Sequence, residues 1–498
     1  MTDLSMPEVW PLLFFKQTIL RGSILKSMEI QFLGAAGEVT GSRYSVKFSL
    51  DGRDVRFMVD YGMFQGGREA TQKNVEPPPF SPKDIEFIVL THAHIDHSGL
   101  LPRLCAQGFS GPIYCTGATF ELLKILLPDS AHLQWADLER AERRKKAGKW
   151  RGDMPVALYT REEVEMVFAQ CELIEYQQAA EPCKGVRLEF QNAGHILGSA
   201  IAIIDITETG SPSKRCVFSG DIGMKGKLLM PDPSLISQAE VIVVESTYGD
   251  RLHRNLQATE EELVDVISST LKGNGNVVIP AFAVGRTQEI LFLLIDLVRR
   301  NVLPHLNIWV DSPMATAATH LTQHFFSQLD EQSQATFKWF KGNPGAVDLR
   351  FIADVEESKA LNKIKGGAII ISASGMCDAG RIVHHLENNL PRPQSAVIIT
   401  GFQAYGSLGR RLVDKAQKVR LFGEEVPVRA SIHTIGGLSA HADKEGLLDW
   451  LRGFKNEAKT IFVVHGEPEA SSVLAKAIRD DLGWSNVIIP ERLHSYQC

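Results

Sequence analysis

The sequence predicts an α/β chain in two units: a β-rich core and a doubly wound parallel-sheet domain inserted into it. Three observations carry this prediction. The chain has 498 residues, more than one usual domain holds. Short β-rich runs separated by turns fill residues 28–249 and return from 426 to 498. Between them, over 250–425, strand candidates alternate with helical stretches, the signature of βαβ units on a parallel sheet.

The elements follow in order. Residues 1–27 are read as an extension, because Met28 directly precedes the first clear strand, "IQFLGA". "RYSVKF" and "RDVRFMVD" come next, with Asp51-Gly52 as a hairpin turn signal between them. After the Pro-rich loop "EPPPFSP" comes the strand "IEFIVL", the loop "THAHIDHSG" and a helix "SGLLPRLCAQG" whose Pro102 is tolerable in a first turn. Strands "VRLEF", "AIAIIDI", "RCVFSGD" and "AEVIVVEST" complete the first stretch. In the insertion, "NVVIPAF", "NIWVDSP", "AIIISASG" and "AVIITGF" alternate with helices such as "GRTQEILFLLIDLVRR" and "RIVHHLENNL". "VRASIHTI", "AHADKEGLLDWLRGF" and "TIFVVHGE" then resume the style of the core. No internal repeat or low-complexity tract interrupts the pattern.

Composition narrows the function classes. With 44% hydrophobic and 22% charged residues the chain is an ordinary globular one. A net charge of −6 gives no general attraction for nucleic acid, so any polyanion must meet a local basic surface. "ERAERRKKAGKWR", with Arg140, Arg143, Arg144, Lys145, Lys146, Lys149 and Arg151, is one candidate for that surface. Its other reading is a solvated helix face with Glu139 and Glu142 as partners. The seven cysteines are odd in number and scattered without a C-x-x-C pair, which fits the reducing cytoplasm and argues against cysteine-ligated zinc. "MPEVWPLLFFKQTIL" is not read as a secretion signal, since Pro11 and Lys16 break it and no small-x-small cleavage site follows. No run of about 18 apolar residues occurs, so no membrane partner is expected.

The chemistry concentrates in "THAHIDHSG", which places three histidines and one carboxylate between His92 and His97. In extended backbone His92 and His94 point the same way and reach one metal, while a turn at Ile95 aims Asp96 and His97 at a second position. Imidazole nitrogen and carboxylate oxygen suit zinc, with manganese an alternative where oxygen ligands dominate. One loop cannot complete two coordination spheres. His195 in "NAGHILGS", Asp221 in "FSGDIG" and His465 in "VVHGE" each follow a strand and supply further donors. Taken singly, each is also readable as a buried polar group near a turn.

"HAHIDH" resembles the defining motif of the metallo-β-lactamase superfamily. "VESTYGD" with Glu245, "GLSAHAD" with His441 and "VVHGE" with His465 resemble three diagnostic motifs of its β-CASP nucleases. These include the nuclease subunit of the pre-mRNA cleavage and polyadenylation machinery and bacterial RNA-processing relatives. "PAFAVGRTQE", "SASGM" and "GFQAYGSLGRRL" are similar to the inserted-domain segments of the same family. The resemblance covers about residues 29–490. It implies a metallo-β-lactamase αββα sandwich core, over 28–249 and 426–498, with an inserted β-CASP domain over 250–425. It also implies two Zn2+ ions, one on His92, His94 and His195 and one on Asp96, His97 and His465, bridged by Asp221. Asp60 then orients a ligand rather than binding metal. Every one of these positions is filled, which argues against the inactive scaffold paralogues of the family.

The implied function is a two-metal ribonuclease acting on single-stranded RNA, as an endonuclease, a 5′-exonuclease or both. Two closely spaced metals lower the pKa of a bridging water, align it with phosphorus and stabilise the phosphoryl oxygens. Asp96 and Asp221 hold that machinery, while His441, oriented by Glu245, assists the leaving oxygen. Arg286, Ser374, Gly375 and Arg410 are the expected phosphate contacts, at Gly-rich strand ends and helix starts. For each arginine an interdomain ion pair is the competing reading. The rivals are a small-molecule hydrolase of the lactamase or lactonase type, a DNA-processing nuclease, and a non-catalytic RNA-binding scaffold. Nothing in the pattern reads a 2′-hydroxyl, so DNA stays open as a substrate. A homodimer stays open too.

Overall fold

The computed structural model describes residues 28–210, 212–401, 403 and 406–498. The extension expected over 1–27 lies outside them. Turn chemistry sets up the first sheet. Asp51 and Gly52, at φ 50° and 84°, are both left-handed and join Tyr44–Leu50 to Arg53–Val59, pairing Leu50 with Arg53. That is the two-residue turn whose twist matches the strands it connects. The seven strands of this sheet run in the order 495–497, 29–32, 44–50, 53–59, 87–89, 113–115 and 171–173. A second sheet of seven orders 487–488, 460–464, 241–245, 214–218, 200–206, 186–192 and 179–183.

The two sheets face each other across an apolar layer that includes Phe32, Phe48, Phe57, Phe87, Phe190, Phe218 and Phe462. Helices cover the outer faces. Leu101, Leu104, Leu122, Leu127, Val164 and Val167 pack on the first sheet, and Leu447, Leu448, Trp450, Leu474 and Ile478 on the second. The result is the expected αββα sandwich. Its helix at the opening loop is split: Ile95–Ser98 forms one turn, and Leu101–Ala106 carries Pro102 in its first turn.

The third sheet is all parallel, in the order 347–351, 306–310, 369–372, 277–280, 396–399 and 431–434. Side chains of 256–272 and 286–299 cover one face, and those of 382–389 and 408–413 the other. One expectation needs correction: Ser431–Thr434, read as a return to the core, extends the inserted sheet alongside Ala396–Ile399. Arg429 and Ala430 N–H groups donate to Leu390 O, and Ser431 N–H to Ser395 O, which fixes the segment there before the chain leaves.

The helix Gly117–Lys146 links the units. Leu122, Leu123 and Leu127 share one apolar cluster with Phe292, Ala318 and Phe337 of the inserted domain. Its last turn carries Arg143, Arg144, Lys145 and Lys146, all exposed, where cations complement the C-terminal end of the helix dipole. Among the described residues no helix is long and apolar enough to cross a membrane.

Candidate metal centre

Six strands of the sandwich end at one edge, and each delivers a polar group. In the first sheet, 53–59 leads to Asp60 and 87–89 to the loop of His92, His94, Asp96 and His97. In the second, 186–192, 214–218, 241–245 and 460–464 lead to His195, Asp221, Glu245 and His465. Asp60 and His465 sit at φ 57° and 49°, left-handed backbone that a residue with a Cβ seldom adopts, so the fold holds both in place against a conformational cost.

Two sets of donors result. In the first, His92 Nε2 lies 3.1 Å from His94 Nδ1, which lies 3.2 Å from His195 Nε2. Asp221 Oδ2 stands 3.4 Å from His92 Nε2 and 3.6 Å from His195 Nε2. In the second, His465 Nε2 is 3.3 Å from His97 Nε2 and 3.4 Å from Asp96 Oδ2. The other oxygen of Asp221, Oδ1, lies 3.4 Å from His97 Nε2, so this carboxylate stands between the sets.

These residues fit a metal. Donors about 2.0–2.1 Å from one tetrahedral zinc lie about 3.3 Å from one another, the spacing seen within both sets. Asp221 Oδ1 is buried without a hydrogen-bond partner among the described residues, as a carboxylate oxygen awaiting a cation would be. Asp60, Asp96, Asp221 and Glu245 converge here, and the described residues pair none of them with lysine or arginine. Buried carboxylates need compensating charge. Burial, reinforced by His92, pushes His94 down to about 3, and burial likewise lowers His92 and His195. Against burial, the bond to His465 and the charge of His97 keep Asp96 below its ordinary range. Neutral His92, His94 and His195 beside an ionised Asp96 are in the donor state a divalent cation requires, whereas, against burial, Asp221 and Asp60 raise His97 well above its ordinary value, a proton that a cation on the second set would displace.

Asp60 Oδ2 lies 2.7 Å from His97 Nδ1, while Thr91 N and Thr91 Oγ1 each donate to Asp60 at 2.8 Å. The carboxylate fixes that ring so that Nε2 faces the second set. Glu245 is spoken for as well: both its oxygens lie 3.1 Å from His441 Nδ1, and it accepts from Ile222 N at 2.6 Å and Thr247 N at 3.3 Å. A third donor grouping of Asp221, Glu245 and His465 is therefore the weakest of those the geometry allows. Burial opposes protonation of His441, but Glu245 and Asp221 raise it to about 9. His441 does not cap the following helix; Asp443 does, accepting from Gly446 N.

A cavity of about 600 Å³ opens between sandwich and inserted sheet, with His94, Asp96, His195 and His441 on one wall. Its other wall is the carboxyl end of the parallel sheet, where open α/β folds bind ligands. Arg286 and Gly375 line it. Arg286 is partly neutralised, its Nη1 lying 2.6 Å from Glu289 Oε2, while Glu289 also holds buried Lys227 at 2.6 Å. Two of the expected phosphate contacts change. Ser374 N–H already donates to Ala379 O. Arg410 Nε is tied to both oxygens of Asp414 at 3.0 Å, one turn away on its own helix, and is not part of the cavity wall.

Three family models match the chain: a metallo-beta-lactamase superfamily domain over 48–211, a Beta-Casp domain over 287–412, and a Zn-dependent metallo-hydrolase RNA specificity domain over 425–490. Ribonuclease TTHA0252 of Thermus thermophilus is 38% identical over 91% of this chain and 96% of its own length. The chain belongs to the β-CASP family of metallo-β-lactamase-fold hydrolases. Transcription termination factor FttA of Methanocaldococcus jannaschii is 28% identical, over 91% of this chain and 69% of the relative. FttA of Pyrococcus abyssi is 31% identical, over 80% and 60% respectively. As a β-CASP hydrolase the chain also shows support residues that the motifs alone do not reveal. Thr247 Oγ1 lies 3.0 Å from His465 Nδ1, and His253 Nε2 lies 3.0 Å from His441 O. Thr247 stands two residues beyond Glu245, a spacing that could have flagged it; His253 lies in a loop with no such signal.

Proposed function

We propose that this protein is a two-zinc ribonuclease that hydrolyses phosphodiester bonds of single-stranded RNA. The observation that carries the reading is the pair of donor sets sharing Asp221 at the wall of an interdomain cavity, with the His441–Glu245 pair beside them. The ribonuclease name of a relative matched along 96% of its length supports the substrate class. His92, His94, His195 and Asp221 would hold one ion, and Asp96, His97, His465 and the second oxygen of Asp221 the other; manganese is the alternative metal. When bound, the ions supply Lewis acidity, which acidifies water and offsets charge on the phosphoryl oxygens.

The chain's own groups do the rest. Glu245 accepts from His441 Nδ1, which leaves Nε2 free to carry a proton to the departing 3′-oxygen. Thr247 holds His465, and Asp60 holds His97, in the orientations that point Nε2 inward. The sandwich is proposed to comprise 28–249 and the residues after 434, with 250–434 as the inserted domain. The seven unpaired cysteines favour a reducing compartment.

The test is incubation of pure protein with RNA and DNA labelled at either end, with and without added zinc or manganese. Metal-dependent cleavage of RNA is expected, and the labelled ends separate endonucleolytic from 5′-exonucleolytic action. Intact RNA alongside hydrolysis of a lactam or lactone would overturn the reading.

A further inference from the structure

Phe282 is out of place for an interior turn. It follows the strand Val277–Pro280, lines the cavity, and leaves 49% of its surface open. Tyr248, the other Phe, Tyr or Trp ring among the described residues that line the cavity, is turned to partners, its ring 4.8 Å from that of His253. Phe282 is backed rather than buried. A Cβ built at Gly375 would lie 3.1 Å from both Cδ2 and Cε2 of the phenyl, tighter than ordinary contact, so a side chain there would push the ring away by a few tenths of an ångström and glycine lets it lie closest to that backbone. Gln403 Nε2 in turn donates to Gly375 O at 3.0 Å, which fixes the backing.

A half-exposed apolar ring resting against glycine backbone, in the cavity that also holds His94, Asp96 and His441, suits a flat, weakly polar ligand. We infer that Phe282 is a stacking platform for the nucleobase of a nucleotide next to the scissile phosphate, with Gly375 as its backing. Accordingly Gly375, expected from its strand-end position to meet phosphate, serves the base through its missing side chain. Stacking works on every base, because each has a π-face, so the platform would position RNA in the cleft without selecting sequence. The inference rests on the ribonuclease reading and adds the group of the substrate that the inserted domain recognises.

The test uses a short RNA with one defined cleavage site, intact or with a single abasic nucleotide placed on either side of the scissile bond. Phe282→Ala is expected to lower kcat/KM on intact RNA by about 5- to 150-fold, the range for losing one base–aromatic stack. Phe282→Trp is expected to restore it, while zinc content and the circular dichroism spectrum stay those of the wild type. The abasic substitution at one of the two positions should cost the wild type the same factor and cost Phe282→Ala nothing further. Equal losses for Phe282→Ala on intact and abasic RNA, or no loss on either, would overturn the platform. Wild-type protein that cuts none of these RNAs would instead remove the ribonuclease reading on which it rests.

Discussion

Replacing Glu245 by Gln keeps shape and removes one buried negative charge. In the native protein that carboxylate touches His441 Nδ1 with both oxygens at 3.1 Å and, with Asp221, lifts the imidazole from 6.5 to about 9 against the pull of burial. The sign follows directly: a raised pKa keeps the imidazolium, the form that donates a proton, present at neutral pH and loses it only as pH climbs past the raised value. At pH 7.5 a group of pKa about 9 is about 97% protonated, whereas one returned to its ordinary value is about 9% protonated. Glu245→Gln should therefore lose about tenfold in kcat at pH 7.5 and recover most of it near pH 6. Bound cations shift both profiles together, so the displacement between them is what is read. His441→Ala should lose about 10²- to 10⁴-fold at every pH, the span of general acid catalysis, with metal content unchanged. Single-turnover pH profiles on end-labelled RNA, with metal analysis of each protein, make the measurement. A Glu245→Gln profile that overlays the wild type, or His441→Ala turning over at a wild-type rate, would refute this role for the pair.

Four further outcomes are expected. Chelation should abolish cleavage and lower the thermal midpoint, with zinc or manganese restoring both, and Asp221→Ala or His97→Ala should abolish metal-stimulated cleavage while circular dichroism shows the fold retained. Asp60→Asn should weaken metal affinity or activity about 10- to 100-fold, because His97 loses its orienting carboxylate; titration with zinc reads this directly. Gly62→Ala should cost about 1–3 kcal/mol in denaturant unfolding and depress metal uptake as well, since its Cβ would stand 1.6 Å from the carbonyl oxygen of Asp96.

Legibility differed by scale. The donors could be read because chemistry confines them to few residue types and each follows a strand; His92, His94, Asp96, His97, His195, Asp221 and His465 do meet in space. The hairpin at Asp51-Gly52 could be read because few residues tolerate left-handed backbone. Pairing across the insertion could not. The segment Ser431–Thr434 has the same half-buried look beside either sheet, and only its bonds to Leu390 and Ser395 decide between them. Arginines were ambiguous for a related reason: Arg410 and Asp414, four residues apart, satisfy each other locally, and nothing about arginine alone distinguishes that from a phosphate contact. Phe282 was hidden within a motif, since an aromatic after a strand is ordinary until its exposure is known.

The donors are drawn from residues 92 to 465, with the whole inserted sheet between Asp221 and His465. The strand that leads to His465 also runs through the interior of the second sheet, between 241–245 and 487–488, with Phe462 against Phe32. A chain cut short anywhere before it lacks a candidate metal donor and a structural strand together. Truncation ahead of that strand is therefore expected to remove fold and metal binding in one step, leaving no partly active remnant.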